Sequence, residues 1–561
     1  MIEEILSNSI NKALNSLGFS TPQFIIEHPD NLDHGDYSTN VALALSKEVG
    51  APSKEIAEKI VSLLNSYALE DVTTISIAGP GFINFSLSSN YFVHKLKDLL
   101  SDPKQIGSAN YLNGQKIIVE YTDPNPIKEF HIGHLMSNTI GEAISRIIEA
   151  GGAEVKRACY QGDIGLHVAK AVAYKLKNDE PWDSVDQVAH SYASGSKLYE
   201  TDASFKEYVV SINKKIYEET DEEVNTAYQE GKRKTLDYFE VIYKKLGTKF
   251  DFYFFESTTG EFGKALVHKH PEIFENSEGA IVFRGEKRDP SLHTRVFINK
   301  EGLPTYEAKE LGLAKIKYDT YPYDSSIVIT GNEINDYFRV LLRAMMEIFP
   351  HLAQKTKHLS HGMLRLPTGK MSSRTGDVIT AEWLINEVKN KVLEKIETSK
   401  REISNRDELA ESVAIGAIKY SILKQAPGRD IIFDFDKSLS FEGDSGPYLQ
   451  YTYARTQSLI EKAHDLNIDG GIYSDLPVST LEKLLIRFPE IVSRSREEYA
   501  PHYIVTYLTE IAGLFNRLYA EQQIIDESDD QTSHRVALTK IVGLVLGSGL
   551  SLLGIVAPSR M

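Results

Sequence analysis

The sequence predicts an α/β protein: a doubly wound parallel sheet, preceded by a smaller α+β block and followed by an all-α bundle. Three observations carry this prediction. Residues about 113 to 405 alternate strand, turn and helix patterns, as a parallel sheet covered on both faces requires. Residues 406 to 561 show helical periodicity almost throughout. Residues 1 to 112 combine helical stretches with one strand-like tail.

In the first block, 3–17, 37–49 and 53–66 read as helices, and ISIAGPGFINFSLS sets Phe82, Ile83 and Phe85 in a strand. Ser101-Asp102-Pro103 and Asn113-Gly114 are turn signals that bound the block near 112. The middle block opens with KIIVEYTD (116–123), a buried-strand pattern, followed by the turn Pro124-Asn125-Pro126. A helix over about 134–150 then carries Leu135, Ile140, Ile144, Ile147 and Ile148 near one face and stops at Gly151-Gly152. EVKRACYQ and SSIVITG (325–331) read as later strands, and KHLSHGMLRLP is strand-like. Residues about 172–250 are charged, helical and without a strand signal, so they read as a helical insertion. Beyond 406, the segments 408–423, 447–466, 478–492, 502–523 and 533–553 form the bundle.

A chain of 561 residues is too long for a single core. Sixty-two Lys+Arg against 79 Asp+Glu leave a net charge of −17, which argues against indiscriminate binding to nucleic acid or acidic membranes. Local basic patches stay compatible with an RNA partner. No run approaches 18 consecutive apolar residues, so no membrane span is expected. MIEEILSNSINKALNSLGF is an amphipathic helix pattern rather than a basic n-region with an apolar stretch, so a cytoplasmic protein is expected. The single cysteine, Cys159, excludes a disulfide framework and a cysteine-based zinc site; it reads as a small buried hydrophobe. No structural metal is expected.

Two motifs carry chemistry. His131-Ile132-Gly133-His134 follows a strand and a Pro-rich turn and begins a helix, where free N–H groups and the dipole favour phosphate. Gly133 would let a flat base approach the backbone. With 16 His and 37 Gly in 561 residues, about 0.03 chance copies of His-x-Gly-His are expected. The competing reading is a pair of satisfied histidines at a helix cap. Lys370-Met371-Ser372-Ser373-Arg374, between Gly369 and Gly376, is a basic loop able to close on polyphosphate; alone it would pass for a surface turn.

Together these motifs resemble the paired signature of class I aminoacyl-tRNA synthetases. Within that class the whole chain resembles the arginyl-tRNA synthetase family, in VEYTDPNPIKEFHIGHLMSNTIGEAI, DHGDYSTNVALALSK, GPGFINF, GPYLQYTYAR, PHYIVTYLTEIAGLFNRLY and LLGIVAPSRM. The resemblance implies a Rossmann-like catalytic domain over 113–405, a tRNA D-loop-binding domain over 1–112 and a helical anticodon-binding domain over 406–561. It implies ATP-dependent activation of arginine, transfer to tRNA(Arg), a need for bound tRNA before activation, Mg²⁺ carried on ATP, and a monomer without membrane association.

It also implies roles for particular residues. His131, Gly133 and His134 match the ATP site, as do Lys370, Met371 and Ser372. Lys128 matches a lysine that compensates for the missing second lysine of the loop, here Ser373. Glu120, Tyr306 and Glu310 match the arginine pocket, where a carboxylate meets the planar guanidinium fork with two hydrogen bonds. Asn125 matches the holder of the amino-acid head, with Asp123 beside it. Phe82 and Asn84 match D-loop contacts, and Tyr451, Arg455, Asn516 and Arg517 lie in the matched anticodon helices. Without the resemblance, Lys128 would read as a solvated lysine just before a helix and Glu310 as a solvated helix glutamate, while Phe82 would read as core about as readily as a contact. The family's Gly-Asp-Trp-Gly is here Gly162-Asp163-Ile164-Gly165, its glutamine-bearing pocket segment is Gly331-Asn332-Glu333, and its usual pocket aspartate is Glu310. A synthetase for another amino acid and a non-catalytic RNA-binding relative are the competing functions. The first would lack carboxylates for the guanidinium; the second would be expected to lose its signature loops.

Overall fold

The computed structural model describes residues 2–29, 31–103, 106–108, 110–367, 379–398 and 405–561. Lys370, Met371 and Ser372 lie outside them. The chain divides into two compact units, each discontinuous in sequence. One comprises Met1–Ile106, Arg455–Pro489 and Glu510–Val545; the other comprises Gly107–Ala454, Glu490–Thr509 and Leu546–Met561.

The second unit is built on a five-stranded parallel sheet, in the order Thr356–His361, Ser325–Gly331, Lys116–Glu120, Glu154–Gln161, Phe252–Phe255. The first strand in sequence is central because Ile117, Ile118 and Val119 are buried on both faces, as a parallel sheet demands. Ile117 and Val119 pack with Leu135, Ile144 and Ile148 of the helix Ile132–Ala150, whereas Ile118 packs with Ala158, Leu313 and Tyr323 on the other side. Later strands add outward from this one in both directions, so strand order reverses at its carboxyl end. Ligands bind at such a switch point.

The insertion runs through four helices, Leu166–Asn178, Val185–Thr201, Ala203–Glu218 and Glu222–Leu246, around Trp182, Phe205 and Ile212. Ile164 is buried in this cluster, where it packs as an aliphatic core residue. A three-stranded antiparallel sheet, Glu275–Ser277, Ala280–Arg284 and Thr294–Ile298, was not expected from the strand–helix alternation. Its strands have three to five residues and a register shift between Val296 and Ile298, too little for period-2 alternation to stand out.

Three further expectations change. Tyr37–Thr39 is a strand paired to Ile83–Phe85, and the helix begins only at Val41. The expected helix over 478–492 is two, Thr480–Leu485 and Phe488–Glu497, because Pro489 supplies no N–H and obstructs the preceding turn. KHLSHGMLRLP splits into Thr356–His361 and Leu364–Arg365.

The first unit holds a four-stranded antiparallel sheet, in the order Ile26–Glu27, Tyr37–Thr39, Phe82–Leu87, Val72–Ala78. Helices Ile2–Ser16, Val41–Val49 and Ser53–Ser66 contribute Leu6, Leu45 and Ile60 to its core, and Val478 and Ile486 pack onto the same cluster. Lys483 donates to Asp36 at 2.8 Å, while the other Asp36 oxygen accepts from the Leu87 amide. The helix Thr532–Leu552 is long and apolar enough to cross a membrane by length and composition, although polar residues interrupt its apolar runs. Of its most apolar window, 72% is buried inside the protein, as in a core helix.

Candidate active site at the carboxyl edge of the sheet

His131 is the N-cap of the helix Ile132–Ala150. Its Nδ1 accepts from the amides of Gly133 (3.1 Å) and His134 (3.3 Å), and Nδ1 of His134 accepts from the His131 amide (3.3 Å). This reciprocal box uses two imidazoles where Ser and Glu are usual. The rings stack with centroids 3.5 Å apart. With Nδ1 accepting on each neutral ring, the proton resides on Nε2, so each ring keeps one donor for phosphate. Burial and the nearby Lys128 charge push His131 down to about 4 and His134 well below the ordinary imidazole value. Both are therefore neutral donors at pH 7. Their lowered values contribute stability that is lost as pH falls from the ordinary imidazole range toward 4. Gly133 has a reason beyond access for a base: a Cβ there would lie 2.9 Å from the His131 ring and block the cap.

The turn after the central strand is strained. Thr122, Asp123 and Ile127 have φ of 81°, 44° and 70°, which a β-branched threonine rarely adopts. Neighbours hold it: Ser137 Oγ accepts from the Thr122 amide at 3.0 Å, Asn138 donates to Thr122 Oγ1 at 3.0 Å, and Thr235 Oγ1 accepts from the Ile127 amide at 3.1 Å. Over-determined strain of this kind concentrates at functional sites. Asp123 accepts from the Tyr160 amide at 2.7 Å. Asn125 reaches over Gly162, where a Cβ would sit 2.2 Å from its Oδ1. Lys128 is half-buried, with its ammonium 5.2 Å from the centre of the Tyr192 ring.

Glu120 ends the central strand and is buried, receiving a hydrogen bond from Lys317 Nζ at 2.6 Å. Lys317 belongs to the helix Tyr306–Thr320, which also carries Lys309 and Glu310. Lys309 is paired with buried Glu256 at 2.6 Å. Glu310, half-buried, has no hydrogen-bond or ion-pair partner among the described residues. Burial, together with the charges of Glu120, Asp123 and Glu256, holds its carboxyl well above the usual range, while Lys317 opposes them. Tyr306, at the start of the same helix, is exposed, with Lys309 5.5 Å from its ring centre. The corner thus brings His131, His134 and Lys128 together beside the strand end, and Glu120, Asp123 and Glu310 into one acidic group. It is suited to a phosphate chain next to an organic cation.

Other motif residues have different roles. Asp163 is fully buried and accepts from Tyr228, Lys232 and both the amide and hydroxyl of Ser257, which ties the insertion to the helix Glu256–Lys269. His167 donates from Nε2 to the Gly162 carbonyl, and burial lowers it to about 3. Glu333 is exposed. Phe82 is half-buried, and Asn84 is 3% exposed with its Oδ1 unpartnered among the described residues, so it is not displayed at the surface as a tRNA contact would be. The Arg455 guanidinium bonds Asn516 and lies 4.5 Å from the Tyr519 ring centre; Arg517 is exposed, and Tyr451 is half-buried with an edge toward Phe441. Among the described residues, no three His, Cys, Asp or Glu side chains form a group able to hold a metal. Sequence reasoning missed Lys317, Tyr192 and Lys309, each of which is an ordinary residue of a helix until the fold brings it to the corner.

Comparisons with known proteins agree along the whole chain. A family described as tRNA synthetases class I (R), catalytic domain, matches residues 95–435. The DALR anticodon binding domain matches 449–561, and the arginyl tRNA synthetase N terminal domain matches 2–87. Arginine–tRNA ligase of Fusobacterium nucleatum is 31% identical, covering 95% of this chain and 94% of that protein. The Lactococcus lactis ligase is 29% identical with full coverage of both chains. In structure, the arginyl-tRNA synthetase of Thermus thermophilus matches with a TM-score of 0.80 at 24% identity, covering 100% of each chain, a likeness of fold. Taken with the neutral histidine pair and the acidic corner, the catalytic-domain match over 95–435 and the full-length likeness to the Fusobacterium ligase show that the chain belongs to the arginyl-tRNA synthetase family of class I.

Proposed function

We propose a division of labour for the reaction of this family, the ATP-driven joining of arginine to tRNA(Arg). His131 and His134 donate Nε2–H to ATP phosphates at the helix N-terminus, and Lys128 supplies the positive charge that Ser373 does not. Lys370, with Met371 and Ser372, contacts the departing pyrophosphate. Asn125 and Asp123 orient the amino-acid head, so that an oxygen of the arginine carboxylate attacks the α-phosphorus. The bond from that phosphorus to the bridging oxygen breaks, and pyrophosphate carries the electron pair away. The terminal adenosine of tRNA then takes the arginyl group and releases AMP. The protein works by positioning and charge stabilisation, without a covalent nucleophile. Mg²⁺ enters as its ATP complex, and no step is routed through it.

Glu310 carries the substrate assignment: it is a half-buried carboxylate with no partner among the described residues, one turn from Tyr306. We assign residues 1–112 to the tRNA D-loop side, 113–405 to catalysis and 406–561 to the anticodon side, in a cytoplasmic monomer that activates arginine once tRNA is bound. A guanidinium beside Glu310 favours its ionised form, so the raised carboxyl falls when arginine binds and releases a proton. Affinity for arginine therefore rises with pH through the value of the free pocket. Calorimetric titration of the tRNA-bound protein with arginine, in two buffers of different ionisation enthalpy, should reveal net proton release. Identical heats in both buffers would count against Glu310 as the partner.

A further inference from the structure

Three carboxylates lie within electrostatic reach of one another at the carboxyl end of the central strand: Glu120 from the strand, Asp123 from the strained turn, and Glu310 from the helix Tyr306–Thr320. Among the described residues, the only cation paired with any of the three is Lys317. Its Nζ donates to Glu120 Oε2 at 2.6 Å and to Ser326 Oγ at 3.4 Å. Side-chain exposure is 4% for Lys317 and 1% for Glu120, so this is a desolvated pair rather than a surface one. Seven residues separate Glu310 from Lys317, two turns along one face of the helix. The nearby Lys309 is already committed to Glu256.

We propose that Lys317 is a positioning residue for substrate recognition: the resident countercharge paired with Glu120, which leaves the acidic corner short of positive charge that the guanidinium of arginine supplies. The inference rests on the reading of Glu310 as the guanidinium partner. One buried and two half-buried carboxylates without a resident cation would favour retention of an additional proton, which arginine would have to displace. With Lys317 in place, less proton is lost when the substrate enters. The other titratable groups around Glu310 are Glu256, Tyr160 and Tyr337, and Tyr323 faces Lys317. Both Asp123 and Glu310 are held up by burial and by Glu120 and are relieved by Lys317, in keeping with this arrangement.

The test is the pH profile of kcat/KM for arginine, measured with tRNA present on the full chain. Lys317→Gln should move the rising limb to higher pH by about one unit or more. Around pH 7 it should lower kcat/KM for arginine roughly tenfold or more, with KM for ATP changing less than about twofold. Lys317→Arg, which keeps the charge, should leave the limb where it is. If Lys317→Gln does not fold, the charge-neutral pair Glu120→Gln with Lys317→Gln is used instead, and its limb should coincide with that of the wild type even if its height is reduced. An unmoved limb in Lys317→Gln, an arginine variant displaced as far as the glutamine one, or a displaced limb in the neutral pair each overturns the proposal. Failure of the Glu310 reading is separate: it would show as near-normal arginine use by Glu310→Gln, whatever the Lys317 variants do.

Discussion

Glu310→Gln is expected to lower kcat/KM for arginine by two to three orders of magnitude or more. The side chain keeps its volume, so packing of the helix Tyr306–Thr320 is unchanged, but the incoming guanidinium meets an amide in place of a carboxylate. Removing one partner of a desolvated ion pair costs about 3–5 kcal/mol, because the other charge is left uncompensated. Glu310→Asp changes reach by one methylene and should be far milder. Glutamine also mimics the protonated acid, so the gap between wild type and Glu310→Gln should narrow as pH falls and Glu310 itself takes up a proton. Steady-state kinetics over a pH series measure both effects; a glutamine variant that charges tRNA normally would remove Glu310 from the pocket.

His134→Ala should slow adenylate formation by about 2–4 kcal/mol in barrier, some thirtyfold to a thousandfold, with little change in arginine binding. The same substitution deletes the Nδ1 acceptor for the His131 amide, a capping interaction worth about 1 kcal/mol of stability. His134→Asn separates the two roles. An asparagine oxygen can take the place of Nδ1 and keep the cap, but it offers no donor at the Nε2 position. It should melt close to wild type and still be slow in single-turnover assays. Wild-type rates in either variant would leave the histidine with a structural role only.

What could be read from the sequence divides along physical lines. The His131–His134 corner was legible because a helix start is a local event: strand, Pro-rich turn, cap and dipole are all set within about twenty residues. Glu120 was legible as a strand-end carboxylate for the same reason. Its pairing with Lys317 was not, since only the packing of a helix from almost two hundred residues later brings the ammonium to it. Tyr192 beside Lys128 is likewise a product of how the insertion folds back. Asn84 is the reverse case: a motif match singles the residue out, but Phe82–Leu87 is covered on both faces, so Asn84 is buried along with Ile83 and Phe85, which no period-2 pattern reveals. Pro489 was visible in the sequence and should have ended the expected helix over 478–492. The short antiparallel strands at 275–298 carry too few residues for any periodicity to register.

The discontinuity of the first unit has a consequence in time. The sheet and helices of Met1–Ile106 are synthesised first, yet Val478, Lys483 and Ile486, which cover that core and neutralise Asp36, emerge more than 370 residues later. At roughly 5–20 residues per second, the ribosome leaves that surface waiting about 20 to 75 seconds. During this interval Asp36 is an unpaired carboxylate, and the apolar patch beneath Val478 and Ile486 is open to solvent. Nascent chains halted before residue 478 should therefore be cleaved faster within 1–106 than chains halted after 545. Translation speed along the catalytic domain thereby becomes a determinant of how much of this protein reaches its native state.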